Sequence, residues 1–401
     1  MTMTAFAVFL PAAALLAATV TGSSPAPDAG ATSSDAGTSD ATAPYVVVLK
    51  DTTSRAPTRT LAAEAVDAGD RVGAVYEAAL NGFAVRTTAA RAAALAADPR
   101  VASVEPDAEF HITDEPLTGP QSPAPWSLDR IDQRELPLDG SYTYPGRGRG
   151  VTVYVVDTGI NTTHREFGGR ARAGYNAMFL GSSRDCSGHG THVAATVGGE
   201  TYGVAKGVSL VGVKVADCRG SAPLSALLKG VDWVVKDAAR APTVPAVANM
   251  SIGGSRSRAL DAAVIRAVAQ GITFTVAAGN DGKNACGGSP AAVPQALTVG
   301  ATDAEDRRAP FSDHGPCVDL SAPGVRITSA WKDSPTATAR ASGTSMAAPH
   351  VAGVAALILA RGTARTPAQV SEELLRGAVS DKITGLPTGT PNLLLQAPAE
   401  R

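Results

Sequence analysis

Four polar positions at the ends of apolar runs carry the chemistry that this sequence can offer. Asp157 closes the run "GVTVYVVD", His189 opens "HGTHVAATVGG", and Asn280 follows "GITFTVAAG". Ser342, Thr344 and Ser345 cluster in front of the long apolar stretch "MAAPHVAGVAALILA". A hydroxyl becomes a nucleophile only when a base takes its proton and fixed donors hold the oxyanion that forms. A carboxylate, an imidazole, a hydroxyl and an amide supply that set. His189 is the preferred base, because Gly188 and Gly190 on either side permit close approach. His192, one helical turn further on, is expected to be a packed structural residue. The two histidines do not make a zinc motif, since HExxH is absent and no carboxylate accompanies them. Each position also has a plainer role. Asp157 and Asn280 could be turn residues, and any of the three hydroxyls could cap the helix behind them, where unpaired N–H groups and the helix dipole favour negative charge. Residue physics alone leaves the three hydroxyls unranked.

These residues need a scaffold that gathers strand ends. Across residues 125–397, short apolar runs such as "GVTVYVVD", "VSLVGVKV", "VPAVANMS" and "QALTVGAT" alternate with helical stretches such as "APLSALLKGVDWVVKDAA" and "SRALDAAVIRAVAQ". That alternation predicts an α/β fold: a three-layer, doubly wound, mostly parallel sheet with helices on both faces. Ligands in such sheets bind beyond the carboxyl ends of the strands, which is where Asp157 and Asn280 fall. Residues 45–112 read differently, as strand, helix, strand, a turn at Asn81-Gly82, strand, an Ala-rich helix stopped by Pro99, and a last strand "VASVEPDAEFHI". This order predicts a small α+β split-βαβ domain. A linker at residues 113–124, with Pro116, Pro120 and Pro123, separates the two. Residues 23–44, rich in Ser, Thr, Ala, Gly, Pro and Asp, predict a disordered spacer. Residues 1–22 hold an apolar run followed by small residues and read as a removable secretory signal peptide, although no Lys or Arg precedes the run.

Composition narrows the class. With 44% hydrophobic and 18% charged residues over 401 positions, the chain is globular. A formal net charge of −2 leaves no basic surface for nucleic acid, and 4% aromatic residues leave few platforms for stacked bases. Beyond the leader no stretch of eighteen apolar residues occurs, so no stable membrane association is expected. Four cysteines in an exported chain predict two disulfides, with three connectivities open.

Chain order then separates two hydrolase architectures. An α/β-hydrolase requires Ser, then Asp or Glu, then His, with G-x-S-x-G around the serine. Here Ala347 replaces the second glycine and no histidine follows His350. The motifs "VVDTGI", "GHGTHVA", "NMSIGG", "AAGN" and "GTSMAAPHVAG", in this order, resemble those of the subtilisin-like serine proteases. The likeness is greatest to the proteinase K and aqualysin subgroup and runs over residues 121–397. Residues 45–112 are similar to the inhibitor propeptide of such enzymes. The resemblance implies that Ser345 is the nucleophile, His189 the general base and acid, Asp157 the residue orienting His189, and Asn280 an oxyanion donor. It implies that an extended substrate lies between Gly220, Ser221 and Ala222 on one side and Ser251, Ile252 and Gly253 on the other, as an added strand. Ala277, Ala278 and Gly279 would wall the pocket for the residue before the cut. Their small, uncharged character implies a preference for large apolar or aromatic residues, with no acid to select Lys or Arg. The resemblance also implies structural calcium on the carbonyls of Pro294 and Ala296 and the carboxylate of Asp319, no organic cofactor, and the pairs Cys186–Cys218 and Cys286–Cys317. The expectation is a secreted, monomeric serine endopeptidase that acts on proteins and peptides. It would be made as a self-processed precursor inhibited by its own propeptide.

Overall fold

A computed structural model describes residues 41–50, 56–111, 124–144, 146–178 and 181–398. The expected signal peptide, most of the spacer and most of the linker with its processing site lie outside the described residues.

The N-terminal domain is built from β1 (Thr42–Leu49), α1 (Ala56–Asp67), β2 (Arg71–Tyr76), β3 (Gly82–Thr88), α2 (Ala89–Ala96) and β4 (Val101–Pro106). Its sheet runs β2-β3-β1-β4, with every pair antiparallel. Val47, Leu49, Phe83 and Val85 from the sheet pack with Leu61 and Leu95 from the helices. That is the split-βαβ order expected. Two boundaries differ. β1 begins at Thr42, inside the expected spacer, because Thr42, Ala43 and Pro44 pair with Thr88, Thr87 and Arg86. The expected last strand is two: after Pro106 the chain leaves the sheet and forms β5 (Glu109–His111) elsewhere.

The larger domain opens with α3 (Trp126–Asp132), β6 (Thr152–Asp157), β7 (Ala171–Asn176), α4 (His189–Gly198), β8 (Ser209–Lys214) and β9 (Ser221–Pro223). It continues with α5 (Leu224–Ala238), β10 (Ala246–Met250), β11 (Gly254–Ser255), α6 (Arg258–Ala269), β12 (Thr273–Ala277) and β13 (Gly288–Ser289). Then follow β14 (Leu297–Thr302), β15 (Leu320–Pro323), β16 (Ile327–Ala330), β17 (Thr338–Ala341), α7 (Thr344–Arg361), α8 (Pro367–Gly377), β18 (Val379–Ser380) and β19 (Leu393–Leu394).

Nine strands form one sheet in the order β18-β19-β15-β14-β12-β10-β6-β8-β7, parallel except at the β18–β19 edge. Alternation along β6 shows how the sheet divides the interior. Val153 and Val155 face the core that contains α4 and α7, whereas Tyr154 and Val156 face the core that contains α5 and α6. The strand order reverses at β6, which has β8 on one side and β10 on the other. Asp157 ends β6 at this switch point, where such sheets place their ligands. Helix α7 is long and apolar enough to cross a membrane by length and composition, but it is buried and contacts β10, β12, β14 and β15. Disulfides join Cys186 to Cys218 and Cys286 to Cys317, closing sequence separations of 32 and 31 residues. Loops of that length are worth about 3–4 kcal/mol at most in the chain-entropy account.

Candidate active site

Asp157 is fully buried at the end of β6, and its Oδ1 lies 2.7 Å from Nδ1 of His189, the first residue of α4. The same oxygen accepts the Thr158 N–H at 2.7 Å. Gly190 makes this approach possible: a Cβ there would stand 2.1 Å from the Gly159 carbonyl oxygen and 3.1 Å from Asp157 Oδ1. His192 lies in the core, with Nε2 3.0 Å from the Ile327 carbonyl, and burial pulls its pKa from the ordinary range down to about 3. It is therefore a neutral packing residue. His350 is similar: Nδ1 is 2.8 Å from the Met346 carbonyl, and burial lowers its pKa to about 4.

Helix α7, which packs on α4, begins at Thr344 with Gly343 as its N-cap and no side-chain cap. None of the three hydroxyls is thus the cap, and each is engaged differently. Ser342 Oγ accepts the Arg326 N–H at 2.8 Å. Thr344 Oγ1 accepts the Gly279 N–H at 3.2 Å and donates to Asn280 Oδ1 at 2.9 Å. Ser345 Oγ donates to the Ser251 carbonyl at 3.1 Å, while Ser251 Oγ donates to the Ser345 carbonyl at 2.8 Å. Ser251 is itself fixed by Asn249, whose Nδ2 donates to its Oγ at 2.9 Å. The Ser251 side chain is therefore a support beneath Ser345, while Ile252 is buried and Gly253 reaches the cleft. Asn280 Oδ1 also accepts the Thr344 N–H at 2.8 Å, which fixes the carbonyl end of its amide on α7.

A cavity of about 580 Å³ adjoins Ser345, Gly253, Ala277, Ala278, Gly279 and Asn280. Beyond the three small wall residues its lining carries charge, from Glu109, Asp281, Lys283 and Asp313. Asp313 reaches it, because this residue comes from a distant loop and packs against Gly279; a Cβ at 279 would be 2.2 Å from Asp313 Oδ2. Asp313 Oδ1 accepts the Asp281 and Lys283 N–H groups at 3.0 and 2.8 Å, so it also ties down the loop that carries Asn280.

Beside this cavity β5 of the N-terminal domain pairs antiparallel with β9: Glu109 faces Pro223, Phe110 faces Ala222 and His111 faces Ser221. The domain is anchored by carboxylates in both directions. Glu105 Oε1 accepts from Ser257 Oγ and the Ala259 N–H, both at 3.0 Å, at the start of α6. Asp107 Oδ1 accepts the Ser225 N–H at 2.6 Å at the start of α5. Reciprocally, Asp232 of α5 accepts the N–H groups of Glu77, Ala78 and Ala79 at 3.2, 2.6 and 3.0 Å. Helix starts and successive amides are natural partners for carboxylates.

Residue-level reading of the sequence missed the supports of the His189 loop. Asp185 Oδ1 accepts from Thr158 Oγ1, Ser187 N and Gly188 N at 2.8–2.9 Å, and its Oδ2 accepts from Thr191 N and Oγ1. Lys214, at the end of β8, is buried and donates to the carbonyls of Thr158 and Ala216 at 2.7 and 2.9 Å. The one available signal was position: Asp185 precedes His189 by four residues, and Lys214 is a charge inside an apolar strand.

Asp319 offers one oxygen donor of the kind a hard cation takes. Its carboxylate is largely withdrawn from water, burial pushes its pKa up to about 6, and one oxygen accepts the Thr298 N–H at 2.7 Å. Thr298 lies two residues beyond Ala296. A buried carboxylate is one hard oxygen donor of the kind calcium takes, while no group of three or more His, Cys, Asp or Glu that could hold a metal occurs among the described residues.

Comparison with known proteins agrees with this geometry. A model of the subtilase family matches residues 148–393, and one of the peptidase inhibitor I9 family matches residues 38–113. The chain is 53% identical over 331 residues to an extracellular serine proteinase of Thermus sp. (strain Rt41A), covering 82% of this chain and 78% of that protein. It is 46% identical over 329 residues to alkaline serine exoprotease A of Vibrio alginolyticus, covering 81% and 60%. A cuticle-degrading protease of Metarhizium anisopliae is 40% identical over 354 residues, covering 87% and 88%. A crystal structure of a cold-adapted subtilisin-like serine proteinase superposes with a TM-score of 0.66 at 51% identity, covering 70% of this chain and 100% of that one. The chain therefore belongs to the subtilase family, as a secreted serine peptidase preceded by an I9 inhibitor domain.

Proposed function

We propose that the chain is a broad-specificity endopeptidase working through an acyl-enzyme on Ser345. The observation that carries this reading is the 2.7 Å contact between His189 Nδ1 and buried Asp157, held at the start of the helix that packs on the one bearing Ser345. With Nδ1–H donated to Asp157, the other ring nitrogen is the basic one. Ser345 Oγ turns from the Ser251 carbonyl to that nitrogen as substrate arrives; such hydrogen bonds commonly tighten only in the complex. His189 takes the hydroxyl proton as Oγ attacks the scissile carbonyl, and later delivers it to the leaving amine. Asp157 stays ionised and favours the imidazolium. The oxyanion is held by the Asn280 amide, whose oxygen is already committed to Thr344, together with the Ser345 N–H.

Residues 220–222 and 251–253 hold the substrate backbone, and β5 on β9 is the inhibited form of that same pairing. Ala277, Ala278 and Gly279 favour a large apolar or aromatic residue before the cut. Cleavage in the linker at 113–124 by the enzyme's own site then frees the propeptide. Calcium on Asp319 and the carbonyls of Pro294 and Ala296 would neutralise a buried carboxylate and stiffen the turn before β14. Chelation should lower Tm in the wild type and have little effect in Asp319→Asn. The experiment for the catalytic role is Ser345→Ala. It should reduce casein hydrolysis to background while the uncleaved precursor still gives a folded far-UV spectrum and a cooperative melt; retained activity would refute the assignment.

A further inference from the structure

Lys214 is a buried cation directly behind the triad carboxylate. It lies opposite Asp157 in the β6–β8 register and is 4% exposed, and its Nζ donates to the Thr158 and Ala216 carbonyls that follow each strand. Its Nζ is also 3.7 Å from Cys186 Sγ, in the loop held by Asp185. Asp157 is 0% and Asp185 3% exposed, so two carboxylates and one ammonium share a nearly dry region with His189. The other titratable groups nearby are His192, neutral one turn along α4, His350 on α7, and Asp217, whose charge acts on Lys214.

We propose that Lys214 is a positioning residue that balances the charge of the triad, so that His189 stays a free base at working pH. The proposal rests on the triad assignment above. Counted as ionised carboxylates, Asp157 and Asp185 contribute two negative charges and Lys214 one positive. The cluster is then singly negative with neutral His189, and neutral once His189 has taken the serine proton. Without Lys214 the resting cluster would be doubly negative. Charges in a weakly screened interior interact over several ångströms, so that excess would hold a proton on His189 at pH values where the wild type is unprotonated. The carbonyls that Lys214 grips also set the backbone path after Asp157, so the same side chain positions the carboxylate. Burial lowers the ammonium's pKa, and Asp185, Asp157 and Asp217 oppose that in turn, as expected of a cation kept charged by its neighbours.

The test is the pH profile of kcat/KM for the processed enzyme on a peptide anilide, for wild type, Lys214→Met, Lys214→Arg and Asp185→Asn. The acid limb of Lys214→Met should move to higher pH by about 0.5–1.5 units. Lys214→Arg should keep the wild-type limb, and Asp185→Asn should shift it to lower pH. A Lys214→Met limb coincident with wild type, however much activity is lost, would overturn the proposal and leave Lys214 a packing residue. So would an equal shift in Lys214→Arg. Should Lys214→Met not fold, Lys214→Gln, which keeps a donor for the two carbonyls and loses only the charge, decides: a limb at higher pH supports the proposal, and one coincident with wild type overturns it. Failure of the triad assignment would look different, since Ser345→Ala would then retain wild-type turnover.

Discussion

Ser342, Thr344 and Ser345 stand within four positions of one another and are chemically alike, but each has its own partner. Ser342 braces Arg326, Thr344 clamps Gly279 and Asn280, and Ser345 rests on Ser251. The divergence arises because α7 starts at the meeting point of two loops and a strand end, so successive side chains point at different neighbours. No periodicity reveals that; in the sequence only the motif around Ser345 separated the three. Asn280 shows the same limit. Its type and place after β12 were legible, whereas the commitment of its oxygen to Thr344 depends on a contact 64 residues away. In the proposed mechanism that commitment presets the amide as a donor. Asn280→Ala should lower kcat by roughly 10²–10³, the size of loss known for one oxyanion donor of a subtilisin, with KM changed little. Steady-state kinetics on a peptide anilide would check this; a fall confined to KM would contradict it.

At the scale of elements, strands and helices were readable where their apolar periods were strong. β6, β8, β10, β12 and β14 fall within the runs that the sequence marks, since a strand buried on both faces must be almost wholly apolar. The last strand of the N-terminal domain was not readable as two. "VASVEPDAEFHI" is continuous as a pattern, but Asp107, after a last bond from its N–H to the Pro44 carbonyl at 3.1 Å, turns its carboxylate to the α5 terminus, and the chain follows it out of the sheet. The contacts that hold this domain are equally silent in sequence, because a carboxylate on a strand or helix looks like solvated surface until its partner arrives. Asp232 is the clearest case, with three propeptide amides on one oxygen. Hydrogen bonds to a charged group are worth about 1.5–3 kcal/mol each before coupling. Asp232→Asn should therefore shorten the lag before activity appears after processing, by about tenfold or more, while the kcat of the released enzyme stays unchanged. A lag as long as wild type would show that this anchor contributes nothing to inhibition.

For the whole molecule, the sheet divides two cores, and its switch point at β6 is where Asp157, His189 and the β5–β9 pairing lie. The inhibitor domain and the peptidase are thus joined beside the proposed catalytic residues, and if that proposal holds, processing and catalysis should depend on the same hydroxyl. This is tested most directly by expressing Ser345→Ala beside wild type in a protease-deficient host and taking the mass and N-terminal sequence of each secreted product. The account predicts an uncleaved linker at residues 113–124 in the variant and a cleaved one in wild type. Equal cleavage of both would contradict it.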